Sequence, residues 1–265
     1  MRIVCLSAEA ADICYRLSVW DQVVGVSAFC SKEFPTRPIV SGFSTANLRR
    51  VVDTHPDLVI TFSDVQAEIA EKLIRAGCQV LALNHRSLKG IADSIELIAR
   101  LAEVPDRGAN LVRSFLAELE ALRYEPSIRP TVYFEEWDDP LISGIEWTDE
   151  AIELAGGENI FPSAGKDRAS QRIVSSADVI SKDPEIILAS WCGKAVNLDL
   201  IRSRPGWRQI RAVRDQHIYA IESDKILQAG PSVVEGLRQI RRIVHDWHAL
   251  RKAEPALSQG SIESI

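Results

Sequence analysis

Short, nearly continuous apolar runs alternate along the chain with stretches whose apolar residues recur at helical spacing. In the first half, the runs at 3–6, 23–27, 58–61 and 79–83 predict strands apolar on both faces, as in parallel sheets covered by helices. Between them, 65–76 predicts a helix whose start, Ser63-Asp64-Val65-Gln66, has capping-box spacing. A second helix is predicted over 88–102, stopping before Pro105. From Asp106 to Tyr124, Val112, Phe115, Leu116, Leu119 and Leu122 recur at helical spacing, with Gly108 the only breaker. A helix of about 19 residues is roughly 28 Å long, enough to run from one lobe to another. The stretch 125–130, with Pro126 and Pro130, ends it. A second series follows: strand 131–134, helix 148–155 closed by Gly156-Gly157, and strands 186–190 and 217–221. The last helix starts at Ser232, where Ser232-Val233-Val234-Glu235 is another capping box, and its apolar face is Val233, Leu237, Ile240, Val244 and Trp247. The expected fold is α/β, with two lobes, each a mainly parallel sheet flanked by helices, joined by one long bridging helix. The expected boundaries are 1–104 for the N-terminal lobe, 105–126 for the bridging helix, 127–253 for the C-terminal lobe and 254–265 for a polar tail.

An internal echo points to related lobes. His55-Pro56-Asp57-Leu58-Val59-Ile60 matches Asp183-Pro184-Glu185-Ile186-Ile187-Leu188, each a helix stopped by X-Pro and an acid leading into a buried strand. Pro-acid before a strand is also common punctuation.

Composition narrows the classes. With 46% hydrophobic and 26% charged residues, the chain is an ordinary folded protein. A net charge of -6 argues against a nucleic-acid partner, whose phosphates require clustered Lys and Arg. No apolar run reaches the roughly 18–20 residues needed to span a bilayer, so no membrane insertion is expected. The start, Met1-Arg2-Ile3-Val4-Cys5-Leu6, runs into a strand without a secretory signal, which predicts a cytoplasmic protein, or a periplasmic one if a signal has been removed. Five scattered cysteines, without a CxxC or CxxH pair, imply neither a disulfide framework nor a structural zinc site. Cys5 and Cys78 fall in apolar runs, as core thiols do.

The ordered set of short signals resembles the cobalamin-binding receptors of ABC uptake systems, in the helical-backbone (class III) periplasmic binding protein family. Its carriers are Arg2-Ile3-Val4-Cys5-Leu6-Ser7, Val24-Gly25-Val26-Ser27 with Pro35, Asn47-Leu48, Pro56-Asp57-Leu58-Val59-Ile60, Ser143-Gly144, Gly156-Gly157-Glu158-Asn159-Ile160-Phe161, Val174-Ser175 and Gly230-Pro231. The resemblance covers nearly the whole chain, from Arg2 to about Trp247. It implies a ligand held between lobes by strand ends and the loops after them, cobalamin or a related corrinoid first, with a ferric siderophore or haem as the alternative. Family positions that stack aromatics on the chelate correspond to Phe29, Phe43 and Phe62, and across the cleft to Leu141 and Gln171, which are not aromatic; Asp224 keeps an acid before the Gly-Pro turn. The family also implies an ABC permease as partner, docked through one glutamate on each lobe. Here those positions are Arg49, followed by Arg50, and Ala177, which predicts a receptor uncoupled from a permease, unless Asp53 or Asp178 stands in.

Residue chemistry adds further candidates. Lys166, Arg168, Arg172, Lys194 and Lys225 form a cationic set in second-lobe loops, suited to an anionic ligand or simply a solvated face. Of Trp137, Trp147 and Trp191, the last follows a strand directly and is expected at the ligand, whereas the other two fit core or rim. Cys30 and Cys192 follow strands and His85 follows another, a possible set of metal ligands, although partly buried thiols more often pack. No GxGxxG, GxxxxGK, GxSxG or HExxH motif is present, and Glu135-Glu136 with Asp138-Asp139 alternate across a strand. The expectation is a binding protein that requires no cofactor and is not an enzyme, with a metal- or corrinoid-processing enzyme as the alternative.

Overall fold

The computed structural model describes residues 1–258, with side chains as far as Arg251. It divides into two compact units, Met1–Ala117 with Gln228–Ser232, and Glu118–Leu227 with the chain from Val233 onward. The first boundary falls inside the helix Pro105–Ala121, within the stretch expected as a bridging helix, and the chain changes units again at 227–228 and 232–233. The short return of 228–232 to the first unit has no periodic signature and was not expected.

In the first unit, strands β1 (Ile3–Cys5), β2 (Val23–Ser27), β3 (Ile39–Ser41), β4 (Leu58–Phe62) and β5 (Val80–Leu83) form a parallel sheet in the order β3-β2-β1-β4-β5. The β1 residues are fully buried, which is why their run is uninterrupted. The edge strand β3, with Ile39 56% exposed, lacks that signature and escaped prediction. The order reverses direction at β1 and β4, so the loops leaving their carboxyl ends diverge, and ligands of open α/β sheets bind at such a point.

The second unit is built on β6 (Thr131–Asp138), with β7 (Leu141–Ser143), β8 (Glu158–Asn159), β9 (Ile186–Ala189) and β10 (Ile218–Ala220). β9 and then β10 continue parallel from one edge of β6, while β8 and the antiparallel hairpin strand β7 share the other edge. β6 is longer than expected because the run past Phe134 turns polar while staying extended into the hairpin, whose turn holds a cis Asp139-Pro140 bond. The final helix is Val233–Ser258, and all five residues of its expected apolar face are buried. Of the expected tail, 254–258 continue this helix and 259–265 lie outside the described residues.

The sequence echo has a structural counterpart. Asp57 lies before β4 and accepts from the backbone N–H of Arg2, just before β1, at 2.6 Å. Glu185 lies before β9 and accepts from the N–H of Thr131, which begins β6, at 3.0 Å. The return bonds match as well: Asp57 N–H to the Arg2 carbonyl at 2.8 Å, and Glu185 N–H to the Thr131 carbonyl at 2.9 Å. His55 and Asp183, two residues earlier in each case, both take positive φ, at 47° and 44°. The acid after the proline satisfies the amide at the start of the central strand in both units.

Pro105 does not merely end the preceding helix. It begins the next one, where its missing N–H costs nothing, after a turn through Glu103 at φ 60°. Gly108, the breaker inside that helix, sits where the helix Leu88–Leu101 comes closest. A Cβ there would lie 2.4 Å from Cβ of Ala99. Gly108→Leu should therefore destabilise the fold by about 1–3 kcal/mol through overpacking, measured as a lower urea midpoint.

Candidate functional site

At the carboxyl edge of the first sheet, the loops after β1, β3 and β4 are held by one side chain. Gln66 is 4% exposed; its amide donates to the carbonyls of Leu6 at 3.0 Å and Phe43 at 2.8 Å, and accepts from the N–H of Phe62 at 3.0 Å. The predicted capping box is replaced by this clasp. Ser63, at φ 56°, caps Val65 N–H at 3.3 Å over a 3-10 turn, and the helix proper is Ala67–Arg75. Gln66 looked like a capping partner in the sequence, and its spacing carried no sign of the long-range role.

The clasp positions two of the expected aromatics. Phe43 is 49% and Phe29 42% exposed, and their rings meet edge to face at 6.2 Å. Large apolar rings exposed side by side form a platform rather than a core. Phe62 is half-buried, with its ring 5.4 Å from that of His85 and the Arg86 guanidinium 5.6 Å from its centre.

His85 donates from Nε2 to the Ala229 carbonyl at 2.9 Å, and Nδ1 lies 2.7 Å from the Ser94 hydroxyl. A carbonyl only accepts, so Nε2 carries the hydrogen; burial lowers the ring's pKa and favours the neutral form. With both nitrogens engaged, His85 anchors the 228–232 return, as does Asp12, which accepts from Ser232 N–H at 3.1 Å. Cys30 is half-buried, and burial, with the nearby Asp12 charge, pushes its thiol up to about 11. A protonated thiol is a poor metal ligand. Cys192 belongs to the second unit, and among the described residues no group of three or more His, Cys, Asp or Glu side chains is arranged to hold a metal. Cys5 is buried with its sulfur 3.9 Å from that of Cys14, while Cys78 is half-buried.

In the second unit, Trp191 is 2% exposed, with its indole N–H donating to Glu135 at 3.1 Å. Glu135, fully buried, also takes a two-pronged ion pair from Arg204, at 2.5 and 2.9 Å. Trp191 is therefore a core residue, contrary to expectation, because its polar end is needed by a buried carboxylate. Trp147 is also core, donating to the Ile226 carbonyl at 2.8 Å. Trp137 is half-buried, and the Lys194 ammonium sits 4.2 Å from its ring centre and 4.8 Å from that of Trp191. Leu141 is half-buried opposite Asp138 in the β6–β7 hairpin. Gln171 is exposed and caps its own turn, accepting from Arg168 N–H at 2.9 Å. Asp224 is exposed in the short helix Ser223–Ile226.

The expected cationic set is largely neutralised. Arg172 is 3% exposed, paired with Glu136 and donating to the Ser143 carbonyl at 2.6 Å. Lys194 pairs with Asp138 at 2.5 Å, and Lys225 with Glu235 at 3.0 Å. Lys166 donates to the Pro162 carbonyl at 3.1 Å.

The model of one family, described as periplasmic binding protein, matches residues 3–225. This chain belongs to the periplasmic binding protein family. A vitamin B12-binding protein of Vibrio vulnificus is 27% identical over 246 residues, which cover 90% of this chain and 88% of that one. Among solved structures, the apo periplasmic haem-binding protein of Roseiflexus sp. RS-1 has a TM-score of 0.79 at 23% identity, covering 92% of this chain and 98% of that one. The periplasmic vitamin B12-binding protein of Vibrio cholerae has a TM-score of 0.71 at 22% identity, covering 92% and 96%. These likenesses bear out the two-sheet α/β fold. The family's description fits the periplasmic alternative better than the cytoplasmic expectation. No helix among the described residues is long and apolar enough to cross a membrane.

Gln66 satisfies three backbone groups at once. Gln66→Leu should cost about 2–3 kcal/mol by leaving them buried without partners, read as a lower urea midpoint.

Proposed function

We propose that this protein is the ligand-binding component of an ABC uptake system and takes a metal chelate, cobalamin or a related corrinoid first. The observation that carries this reading is the likeness to vitamin B12-binding proteins along nine-tenths of the chain, 90% in the Vibrio vulnificus case. The exposed Phe29–Phe43 pair at the carboxyl edge of the first sheet supports it, since flat macrocycles bury large areas on aromatic faces. Trp137, with Lys194 over its ring, supplies a second aromatic surface in the second unit. Asp224 and Gln171, both exposed, are polar candidates for the ligand's edge, whereas Arg172 and Trp191 act by supporting the strands beneath. Haem is the second reading, favoured by the haem-binding structure with the same fold. The role is binding and delivery, without chemical conversion of the ligand.

Absorbance titrations with cyanocobalamin and haemin distinguish the two ligands. Tighter binding of cyanocobalamin is expected, and tighter binding of haemin replaces the first reading with the second. Replacing Phe43 and Phe62 together by Ala should weaken binding by about 1–3 kcal/mol, with no change meaning that the ligand sits elsewhere.

We also propose that delivery to a permease is impaired. Arg49 projects from the helix Leu48–Asp53 with 92% of its side chain exposed, only loosely paired with Asp53 at 3.8 Å. Ala177 is exposed in the first turn of the helix Ser176–Lys182, and the neighbouring Asp178 is engaged in capping Ser175. Where the family resemblance implies carboxylates meeting arginine pockets, this chain offers a cation and a methyl group. Like charges suppress encounter. Exported to the periplasm of cells with a cobalamin permease, the unmodified chain should support little uptake, and an Arg49→Glu, Ala177→Glu variant more. Equal, strong uptake by both rules the idea out.

A further inference from the structure

Two polar atoms at the carboxyl end of β1, the hydroxyl of Ser7 and Oε1 of Glu9, are buried and make no hydrogen bond of ordinary geometry, the Ser7 hydroxyl lying near enough to the Glu9 carboxylate only to moderate its charge. Their residues are 7% and 5% exposed. Both stand at the start of the helix Ala8–Arg16, where Ser7 is the capping residue but its side chain makes no capping bond. The place is next to the aromatic platform, because the Leu6 carbonyl shares the Gln66 amide with the Phe43 carbonyl. It is also the reversal point of the sheet, between β1 and β4. Buried polar groups are normally satisfied, so two adjacent exceptions at such a point mark a place where a ligand supplies the partner.

We propose that Ser7 and Glu9 form a polar subsite that selects a ligand rimmed by uncharged hydrogen-bonding groups, carboxamides above all, and rejects one rimmed by carboxylates. This rests on the reading above that the protein binds a chelate at this edge of the first sheet. A helix start ordinarily attracts an anion. Here Glu9 occupies the first turn and Asp12 the next, both buried, so the position already holds acidic groups. Asp12 is paired with Arg16 at 2.8 Å and accepts from Ser232, whereas Glu9 makes no ion pair among the described residues. A carboxamide brings an N–H for Oε1 of Glu9 and a carbonyl that can accept from the Ser7 hydroxyl. A carboxylate brings acceptors only and adds like charge.

The acidity of Glu9 sets how this changes with pH. Burial pushes its carboxyl up to about 7, with the Asp12 charge acting in the same direction. Besides Asp12, the Cys5 thiol on β1 feels the Glu9 charge; Cys14, on the same helix, and Cys30, after β2, act on Cys5, and Arg16 pairs with Asp12. His85 reaches the covering segment at Ala229, and that segment, Gln228–Ser232, carries no titratable side chain. Glu9 is therefore the group that changes charge near neutrality. Ionised above that point it accepts from amides and repels carboxylates; protonated below it, it can donate to either.

The test titrates the full chain with dicyanocobinamide, which is rimmed by amides, and dicyanocobyrinic acid, which has the same corrin and cobalt with carboxylates instead. Near pH 8 the amide ligand should bind roughly tenfold or more tightly. Glu9→Gln should narrow that ratio several-fold, and in the unaltered protein the ratio should narrow near pH 6, an arm that needs no variant to fold. Ser7→Ala should weaken the amide ligand more than the carboxylate one. If cobinamide binds but the ratio is the same at both pH values and in Glu9→Gln, the inference is overturned while the binding reading stands. If neither corrinoid binds, both are overturned.

Discussion

The structure depends on burying β1 and residues 132–135 of β6, each bonded along both edges. A strand in that position has no water for its backbone, so each amide and carbonyl must find a partner in a neighbouring strand or in a specially placed side chain. β1 is bonded between β2 and β4, and β6 between β9 on one side and β7 with β8 on the other. At the entry to each, where the ladder has not begun, Asp57 and Glu185 provide the missing acceptor. The same device at the same register in both units accounts for the Pro-acid echo in the sequence.

The loops at the carboxyl ends of the strands are tied by side chains as well. There the first unit orders three loops through Gln66 and pins the return segment 228–232 through His85 and Asp12. These are neutral or partly neutral contacts within a low-dielectric edge, where an unsatisfied group is costly and a satisfied one fixes geometry. Phe43 stays outward while its carbonyl is held from beneath, and the Phe29 ring meets it edge to face. The second unit uses charge instead. Glu135 with Arg204 and Glu136 with Arg172 stiffen the strand that leads to Trp137, and such buried pairs fix arrangement more than they add stability.

Three of the five cations expected in the loops of the second unit are engaged by its own acids. Arg172, Lys194 and Lys225 each have a carboxylate partner, so they offer a ligand little net positive field.

Periodicity and punctuation alone were enough for the class of fold, the place of the long helix and the apolar face of the last one, because burial on both faces or on one stripe leaves a regular mark along the chain. Val233, Leu237, Ile240, Val244 and Trp247 are buried as their spacing requires. Phe29 and Phe43 were singled out by the resemblance, and their rings lie exposed against each other. Edge strand β3 was not legible, since an exposed strand need not be apolar. Nor were the roles of Gln66, Trp191, Arg172 and Lys194, each of which depends on a partner tens of residues away. Gln66 meets a carbonyl 60 positions earlier, and Trp191 a carboxylate 56 positions earlier. Hydrogen bonds and ion pairs over such separations leave no period in the sequence, and only packing of the sheets brings their ends together.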